Sequence, residues 1–223
     1  LGDTSNLPCT TSKVSSEELP LDLKREDSPT HPAELYGQSK LAAEQLIRGY
    51  QQMYQLQANI MRFGTVYGPG MNPACGMHIF FRQALLDGPL TVHGDGSQTR
   101  TLTFIEDLIQ GILLLVRSGR FGLTLNFSAI EEISALQMAE KVTAVTHSKS
   151  KILHIAQRPG QTMKESISSK KAFEILGWQA TTSFSEGVRK SYEWFLSKKQ
   201  HTGVRAQTKN DILKKNVTIH VPY

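Results

Sequence analysis

Tyr36 and Lys40 are the two residues whose types and spacing could most directly do chemistry in this sequence. Residues four apart lie on one face of an α-helix, so the lysine ammonium group would stand next to the phenol. A tyrosine normally keeps its proton until about pH 10, and a neighbouring positive charge stabilises the phenolate. The pair could therefore accept a proton near neutral pH, with Lys40 as the activating group.

The residues that follow predict the helix that this interpretation requires. From Leu41 to Tyr54, apolar side chains recur every three or four residues. His31-Pro32 precedes the segment, and a residue before proline disfavours helical geometry, so the helix should begin after it. A tyrosine and a lysine at this spacing also occur by chance on helix surfaces, so the rest of the sequence must support the assignment.

A second informative segment covers residues 58–70, Ala-Asn-Ile-Met-Arg-Phe-Gly-Thr-Val-Tyr-Gly-Pro-Gly. Its apolar first half predicts a short buried strand, and its glycines and proline predict a turn. In α/β sheets, ligands bind beyond the carboxyl ends of the strands. We therefore expect a ligand site close to this turn.

These segments and several later ones occur together in a known family. In chain order they are Tyr36-Gly-Gln-Ser-Lys40 with Leu41-Ala-Ala-Glu44, Arg62-Phe-Gly-Thr-Val-Tyr-Gly-Pro-Gly70, Leu90-Thr-Val-His-Gly-Asp-Gly-Ser-Gln-Thr-Arg100, Phe104-Ile-Glu-Asp107, Arg158-Pro-Gly160, Leu176-Gly-Trp178 and Glu186-Gly187. With them the chain resembles the extended short-chain dehydrogenase/reductases, in particular the NAD-dependent nucleotide-sugar epimerases and dehydratases. The resemblance covers about residues 2–195, which is most of the chain.

The resemblance implies an α/β fold, made of the C-terminal part of a Rossmann-type doubly wound fold and a smaller α/β substrate-binding domain. Residues 1–70 would be a partial NAD-binding domain, truncated at its N-terminus. Residues 71–197 would mainly bind the nucleotide sugar, with some strands and helices returning to the Rossmann core. Residues 198–223 would form a basic, disordered tail.

The periodicity of the sequence also favours an α/β fold, because helical and strand patterns alternate. Ser134 and Gln137 form a capping-box pattern at the start of one helix, and Gly177 should end another. The other expected elements are helices near 77–87, 105–117 and 183 onward, and strands near 59–63, 90–92, 123–127 and 151–155, with one more leading to residue 104.

The resemblance further implies a mechanism. Tyr36 would take a proton from the 4-hydroxyl group of the sugar while NAD accepts a hydride, which gives a 4-keto intermediate. Lys40 would stabilise the phenolate and bind the nicotinamide ribose. A homodimer through the Tyr36 helix is also implied.

The same resemblance assigns binding residues. Phe63, Gly64 and Val66, together with Tyr36 and Lys40, would contact NAD. Arg100 and Arg158 would hold the diphosphate, because a guanidinium grips phosphate oxygens through two parallel hydrogen bonds. The other substrate-binding residues would be Thr65, Leu90 and Val92, the last two mostly through their backbone.

Two residues depart from the family pattern. Thr65 stands where many relatives have asparagine, and Gln161 stands where aspartate is frequent. At 161 a neutral amide would replace a carboxylate that could accept hydrogen bonds from the ribose hydroxyls. These departures leave the sugar nucleotide open, as well as the choice between epimerase, dehydratase and decarboxylase chemistry.

The sequence contains no G-x-x-G-x-x-G turn, with which family members hold the dinucleotide pyrophosphate. Leu1-Gly2-Asp3 resembles the sequence that follows the catalytic Ser or Thr, so we expect that hydroxyl upstream of Leu1. One alternative is therefore a catalytically silent fragment or an accessory protein that binds a nucleotide sugar or a partner. Another is a reductase of non-sugar carbonyls, which the Gly-Asp-Gly run before Arg100 disfavours.

The amino-acid composition narrows the classes of protein to which this chain could belong. The net charge is +5, but residues 1–196 hold 19 basic and 19 acidic side chains, so the excess lies in a polar C-terminal tail, in which no aromatic residues are interleaved with the basic ones. We expect no nucleic-acid partner.

No apolar run approaches the roughly 20 residues of a membrane span, and no secretory signal is evident, so a cytoplasmic protein is expected. Cys9 and Cys75 indicate neither a disulfide framework nor a metal site.

Overall fold

Helices and strands alternate along the chain, as the sequence predicts. The computed structural model describes residues 23–32, 35–158, 160 and 162–201. The helices are α1 (Leu35–Tyr54), α2 (Gly76–Leu85), α3 (Ile105–Arg117), α4 (Ala135–Thr146), α5 (Lys170–Leu176) and α6 (Phe184–His201). The strands are β1 (Ile60–Phe63), β2 (Thr65–Tyr67), β3 (Leu90–His93), β4 (Thr99–Phe104), β5 (Thr124–Phe127), β6 (Glu132–Ser134), β7 (Ile152–Ile155) and β8 (Lys164–Glu165).

Some expectations fall on residues outside this description. Cys9, the segment upstream of residue 23, Gln161 and residues 202–223 of the predicted tail belong there. The end of α6 enters the predicted tail, because the helix continues to His201. The division into domains at residue 70 stays a prediction. Within the described residues, no helix combines the length and the apolar character needed to cross a lipid bilayer.

The strands pair in three groups. β1 and β5 are parallel, with Phe63 opposite Phe127. β4 is central to the second group, where it pairs with β2 and β8 in parallel and with β6 antiparallel. β3 and β7 are parallel, with His93 opposite Ile155, so both strands end at the same edge. Parallel strands joined through helices confirm the α/β class.

Gly64 separates β1, which the sequence predicted near residues 59–63, from β2, which the sequence did not predict. The Gly64 N–H donates to the Phe127 carbonyl at 3.0 Å, and the next residue, Thr65, already pairs with β4. A Cβ atom at position 64 would lie 2.5 Å from Ser128 Oγ and 3.1 Å from the Thr101 carbonyl oxygen. Only glycine therefore fits where the chain leaves one strand pair and joins the other.

Two predicted helix boundaries are confirmed by their hydrogen bonds. Ser134 Oγ accepts from the Gln137 N–H at 3.0 Å, and Gln137 Oε1 accepts from the Ser134 N–H at 2.8 Å, which completes the capping box of α4. Gly177 ends α5 in a left-handed conformation with φ of 66°, and its N–H donates to the Phe173 carbonyl at 2.8 Å.

Two apolar clusters stabilise the described residues. The larger packs α2, α4 and α6 against β2, β3 and β4 around Phe81, Leu90 and Phe104. The smaller packs α3 and α5 against β5, where the Phe127 and Trp178 rings meet edge to face at 4.8 Å between centroids. Side chains of this size dominate the apolar surface that folding removes from water.

α1 is attached to the rest of the described chain mainly through polar contacts. None of its residues is buried. Glu44 receives two hydrogen bonds from the Arg62 guanidinium of β1, at 2.7 and 2.8 Å, and both side chains are largely shielded from water. The bond from Arg62 lowers the pKa of the Glu44 carboxyl below its ordinary value. Arg48 Nη2 also donates to Thr124 Oγ1 at 3.1 Å.

Replacing Glu44 by glutamine should loosen α1. The change removes a charge-assisted, two-bond contact worth about 1.5–3 kcal/mol and leaves the Arg62 charge unpaired. We expect faster amide hydrogen exchange throughout α1, with little change in α4. Because the folded-state pKa of Glu44 is lowered, the wild-type contribution is full above the ordinary glutamate pKa and is lost as the pH falls through the folded-state value.

Glu174→Gln is the matched control, because Glu174 pairs with Lys170 across an exposed 3.8 Å contact. Such surface pairs contribute only about 0.2–1 kcal/mol. Equal exchange in α1 for the two variants would show that the Glu44–Arg62 pair does not hold the helix.

Candidate functional site

A cavity of about 530 Å³ lies where β3 and β7 end. Its position agrees with the general rule that ligands bind beyond the carboxyl ends of parallel strands. The cavity is lined by residues of α2, β3, β4, β6, α4 and the segments next to β7 and β8: Gly76, Ile79, Phe80, Thr91, Val92, His93, Gln98, Arg100, Ile133, Ala135, Met138, Arg158, Thr162 and Glu165.

One wall of the cavity is apolar. Phe80, Val92 and Ile133 belong to the larger apolar cluster, and Met138 of α4 packs against that cluster. Gly76, the first residue of α2, also lines the cavity. The first N–H groups of a helix have no partner inside the helix and carry partial positive charge. The cavity therefore combines an apolar wall with a weakly positive helix end.

The tight turn between β3 and β4 positions the polar wall. Asp95 Oδ1 accepts from the Ser97 N–H at 2.9 Å and from Ser97 Oγ at 2.6 Å, and these bonds lower the pKa of Asp95. Gly96 has φ of 78°, and a Cβ atom there would lie 2.8 Å from Val92 Cγ1. The Gly-Asp-Gly sequence thus lets the chain turn closely enough to bring His93 and Arg100 to one cavity.

Arg100 is bound on three sides by protein groups. Its Nε lies 3.1 Å from Glu165 Oε2, its Nη1 donates to its neighbour's carbonyl oxygen at 2.7 Å, and its Nη2 donates to the Thr162 carbonyl oxygen at 2.9 Å. These contacts tie β4 to β8 and partly neutralise the guanidinium. Arg100 therefore helps to fix the structure of the cavity wall and also contributes positive charge to the cavity.

Arg158 is held differently. Its Nε donates to His93 Nε2 at 3.0 Å, and among the described residues no carboxylate pairs with it. His93 Nδ1 lies 2.8 Å from the Ala156 carbonyl oxygen. The exposed guanidinium keeps the N–H groups of both Nη atoms for a ligand. Arg158 is therefore the cation best placed to receive an anion in this cavity.

Tyr36 and Lys40 lie together on α1, and neither is among the residues that line this cavity. The Lys40 Nζ is 5.2 Å from the centroid of the Tyr36 ring, so the predicted sharing of one helix face is present. The Tyr36 side chain is 72% exposed. Tyr67, in contrast to Tyr36, is buried. α6 covers its hydroxyl group, and burial raises the pKa of that group.

Comparison with known proteins gives the family. Residues 8–127 match the model of the NAD dependent epimerase/dehydratase family. The chain belongs to that family. It is 30% identical over 190 residues to dTDP-glucose 4,6-dehydratase of Neisseria gonorrhoeae, a match that covers 80% of this chain and 55% of the relative. The human dTDP-D-glucose 4,6-dehydratase is 29% identical, with 76% of this chain and 50% of the relative covered.

Solved structures agree with the family match. UDP-glucuronic acid 4-epimerase from Bacillus cereus, in complex with UDP-glucuronic acid and NAD, superposes with a TM-score of 0.76 at 29% identity. The match covers 79% of this chain and 57% of that one. DesIV, a dTDP-glucose 4,6-dehydratase from Streptomyces venezuelae, gives 0.76 at 25% identity, with 81% and 56% covered. The chain spans about half the length of the curated relatives it matches.

The structure brings together only part of the predicted epimerase/dehydratase site. Val92, Arg100 and Arg158 line one cavity, but Leu90 is fully buried and is not among the lining residues. Phe63 is 44% exposed at the end of β1, while Thr65 and Val66 lie in β2, half-buried. The packing at Gly64 explains its glycine without any ligand. The assignments of these residues to cofactor or substrate stay predictions.

Among the cavity residues that the sequence interpretation did not assign, two have titratable side chains, His93 and Glu165. His93 stands inside the Leu-Thr-Val-His stretch that the family comparison singled out, so its position was a usable signal. Glu165 carried no signal, because its pairing with Arg100 depends on β8, a strand of two residues.

A larger cavity, about 810 Å³, lies elsewhere and is a weaker candidate. It is lined by Thr124, the first residue of β5, and so opens at the amino end of a parallel pair. Its charged residues, Arg25, Glu26, Asp27, Arg48, Lys170, Lys171 and Glu174, mix both signs, and several contact one another or the backbone. Neither charge sign is left in clear excess for a ligand.

The two arginines of the candidate site should differ in their effect on stability. Arg100→Ala removes three contacts and leaves Glu165 and the Thr162 carbonyl without their partner, so the free energy of unfolding should fall by about 1–3 kcal/mol. Arg158→Ala removes one exposed contact and should change it by about 0.5 kcal/mol or less. Urea unfolding measures both. Equal losses would contradict the structural role given to Arg100.

Proposed function

We propose that this chain takes part in the NAD-dependent conversion of a nucleoside-diphosphate sugar through a 4-keto intermediate. The observation that carries the proposal is the cavity at the ends of β3 and β7, in which the Arg158 guanidinium has no carboxylate partner among the described residues and lies beside an apolar wall. Family membership supports the reaction class, and the relatives named as dehydratases and epimerases support it further.

The chemistry of the cavity suits a nucleotide. Phosphate oxygens carry negative charge, and Arg158 can offer them N–H groups from both Nη atoms in a planar fork. The start of α2 adds partial positive charge. The apolar wall of Phe80, Val92 and Met138 offers a surface for the flat ring of a base. A ligand with a ring at one end and a diphosphate next to it could contact the apolar wall with its ring and Arg158 with its phosphate oxygens.

The residues of this chain fit part of NAD. Tyr36, Lys40 and the exposed ring of Phe63 offer an ammonium group, a phenol and an apolar surface, which suit the nicotinamide and its ribose. The sequence has no G-x-x-G-x-x-G turn for the pyrophosphate. NAD, when bound, would supply the hydride acceptor.

Tyr36 accepts a proton in the proposed mechanism. Its Oη takes the proton of the sugar 4-hydroxyl group, with Lys40, whose Nζ lies 5.2 Å from the ring centroid, as the activating group. Arg158 and Arg100 hold the diphosphate and so fix the position of the sugar. Thr65 offers a hydroxyl group to the substrate in the same proposal.

The outcome after the 4-keto sugar is not assigned to one subclass. Re-reduction from the other face gives epimerase chemistry, whereas loss of water or of a carboxylate gives dehydratase or decarboxylase chemistry. The matches to dehydratases and epimerases favour an enzyme over the alternative of a silent fragment or accessory binding protein. A homodimer through α1 belongs to the same proposal, supported by apolar side chains exposed on that helix, among them Leu46, Tyr50 and Met53.

Replacing Tyr36 by phenylalanine should abolish turnover of the nucleotide sugar and leave the fold intact. The phenol is exposed, and the change removes only the hydroxyl group that accepts the proton. Loss of a general base lowers rates by about 10²–10⁴-fold. Turnover is followed by product analysis, and stability by thermal unfolding.

Tyr50→Phe is the matched control, because Tyr50 is another exposed tyrosine of α1 and the change keeps the ring that the proposed dimer surface would use. It should keep wild-type activity. An active Tyr36→Phe protein would refute the assignment of Tyr36 as the base.

Replacing Arg158 by alanine should weaken the binding of UDP-glucose and dTDP-glucose by about tenfold or more, because the diphosphate loses its fork-shaped donor. Arg158→Lys should recover only part of the affinity, since an ammonium group cannot form the two parallel bonds. Arg120→Ala, a change of an exposed arginine outside the cavity, is the control. Calorimetry measures all four proteins. If the wild-type chain binds neither nucleotide sugar, the proposed function is wrong.

A further inference from the structure

His93 connects two parts of the cavity wall through both of its ring nitrogens. Nδ1 lies 2.8 Å from the Ala156 carbonyl oxygen, and Nε2 lies 3.0 Å from Arg158 Nε. A carbonyl oxygen can only accept, so Nδ1 carries the proton and donates. A guanidinium can only donate, so Nε2 must be the unprotonated acceptor. The two contacts together specify one neutral tautomer of the imidazole.

This geometry leads to a role for His93 that its sequence position did not specify. We infer that His93 is a positioning residue which, as a neutral imidazole, aims the Arg158 guanidinium into the cavity and makes the grip on the diphosphate depend on pH. The inference rests on the proposed function, because it assumes that Arg158 binds the diphosphate of a nucleotide sugar.

The backbone around His93 makes the arrangement rigid. His93 is the last residue of β3 and stands opposite Ile155 at the end of β7, so Ala156 follows directly on the neighbouring strand. The Gly94 N–H donates to the Ile155 carbonyl oxygen at 2.8 Å and keeps the two strand ends together. With the ring bonded to this backbone, Nε2 can point only in a narrow range of directions. Arg158, on an otherwise exposed segment, takes its orientation from that acceptor.

Protonation of His93 would make its contact with Arg158 repulsive. Nε2 would then carry a hydrogen directed at another donor, and two positive charges would face each other across 3.0 Å. Arg158 would turn away from its place in the cavity. Histidine is the side chain that ordinarily changes charge between about pH 5 and pH 8, so such a contact can respond within that range.

The other charged and titratable groups around His93 are few. Among the described residues, Arg158 contacts His93 directly, His154 lies on the neighbouring strand β7 with its Nδ1 at the Gly94 carbonyl oxygen, and Asp95 lies in the turn that follows β3. Arg100 and Glu165 line the same cavity and are paired with each other. Asp95 is bonded to Ser97, so neither carboxylate takes the place of Nε2 as the partner of Arg158.

The test compares His93→Phe and His93→Gln with wild type in binding UDP-glucose and dTDP-glucose by calorimetry, at about pH 8 and about pH 5.5. A nucleotide sugar is a suitable probe because its diphosphate has no terminal phosphate monoester, the group that titrates near pH 6. Wild type should bind about five- to tenfold more weakly at the lower pH. His93→Phe should bind that weakly at both, since it offers no acceptor.

His93→Gln should keep most of the affinity and lose the pH dependence, because its side-chain oxygen can accept at either pH. His154→Gln is the matched control, since His154 is a histidine of the neighbouring strand whose Nδ1 contacts only the Gly94 carbonyl oxygen. It should keep the wild-type pH dependence. Thermal unfolding checks that each variant is folded.

The contact itself has a readout that needs no ligand. In nitrogen-15 spectra of the full chain, His93 should show a protonated Nδ1 and an unprotonated Nε2 at about pH 8, and Arg158→Ala should shift the Nε2 resonance. Binding by wild type that is unchanged in His93→Phe, or a pH dependence retained in His93→Gln, would overturn the role of His93 alone. No binding by wild type would overturn the proposed function, and with it the role that depends on it.

Discussion

The ion pair between Glu44 and Arg62 is the interaction on which the relation between α1 and the sheet depends. α1 carries Tyr36 and Lys40 but buries no residue, so apolar packing does not determine its position within the described chain. The Arg62 guanidinium instead binds both carboxylate oxygens of Glu44 and also donates to the Glu26 carbonyl oxygen at 3.1 Å. Two parallel bonds fix direction as well as distance, which a single contact does not. A helix held in this way keeps its orientation while its outer face stays exposed.

The same interaction links the helix to the strands that build the cavity. Arg62 lies in β1, whose partner β5 is held to the segment before α1 by the Glu26 carboxylate, which accepts from the Asn126 N–H at 2.7 Å. Two residues after Arg62, Gly64 passes the chain from β5 to β4, the strand that begins with Thr99 and Arg100. The positions of Tyr36 and of the cavity residue Arg100 are therefore both defined relative to residues 62–65, where β1 ends and β2 begins. A side chain at residue 64 would disturb both, because Ser128 and Thr101 leave no space for it.

The sequence predicted the parts of the structure that depend on local signals. The α/β class, the capping box at Ser134, the end of α5 at Gly177 and the helix that begins near Tyr36 all follow from spacing within a few residues, and each is confirmed. β2, β6 and β8 were not predicted, because strands of two or three residues are too short to show a period. Family motifs singled out Arg100 and Arg158, and both line one cavity in the structure, although 58 positions separate them. Their different partners, Glu165 and His93, could not be predicted, since those contacts arise only when β4, β8 and the end of β7 come together.

Because their partners differ, Arg100 and Arg158 have different roles in the cavity. Arg100 faces a carboxylate and two carbonyl oxygens, so much of its charge is compensated by the protein before any ligand arrives. A phosphate group would have to compete with Glu165 for it. Arg158 faces a neutral imidazole, which directs the guanidinium without cancelling its charge. A neutral acceptor is better suited than a carboxylate to holding an arginine that must bind an anion, because the attraction to the ligand is not offset by a fixed negative charge at the same group. For that reason the selectivity of the cavity for anions should depend more on Arg158 than on Arg100, although Arg100 makes more contacts.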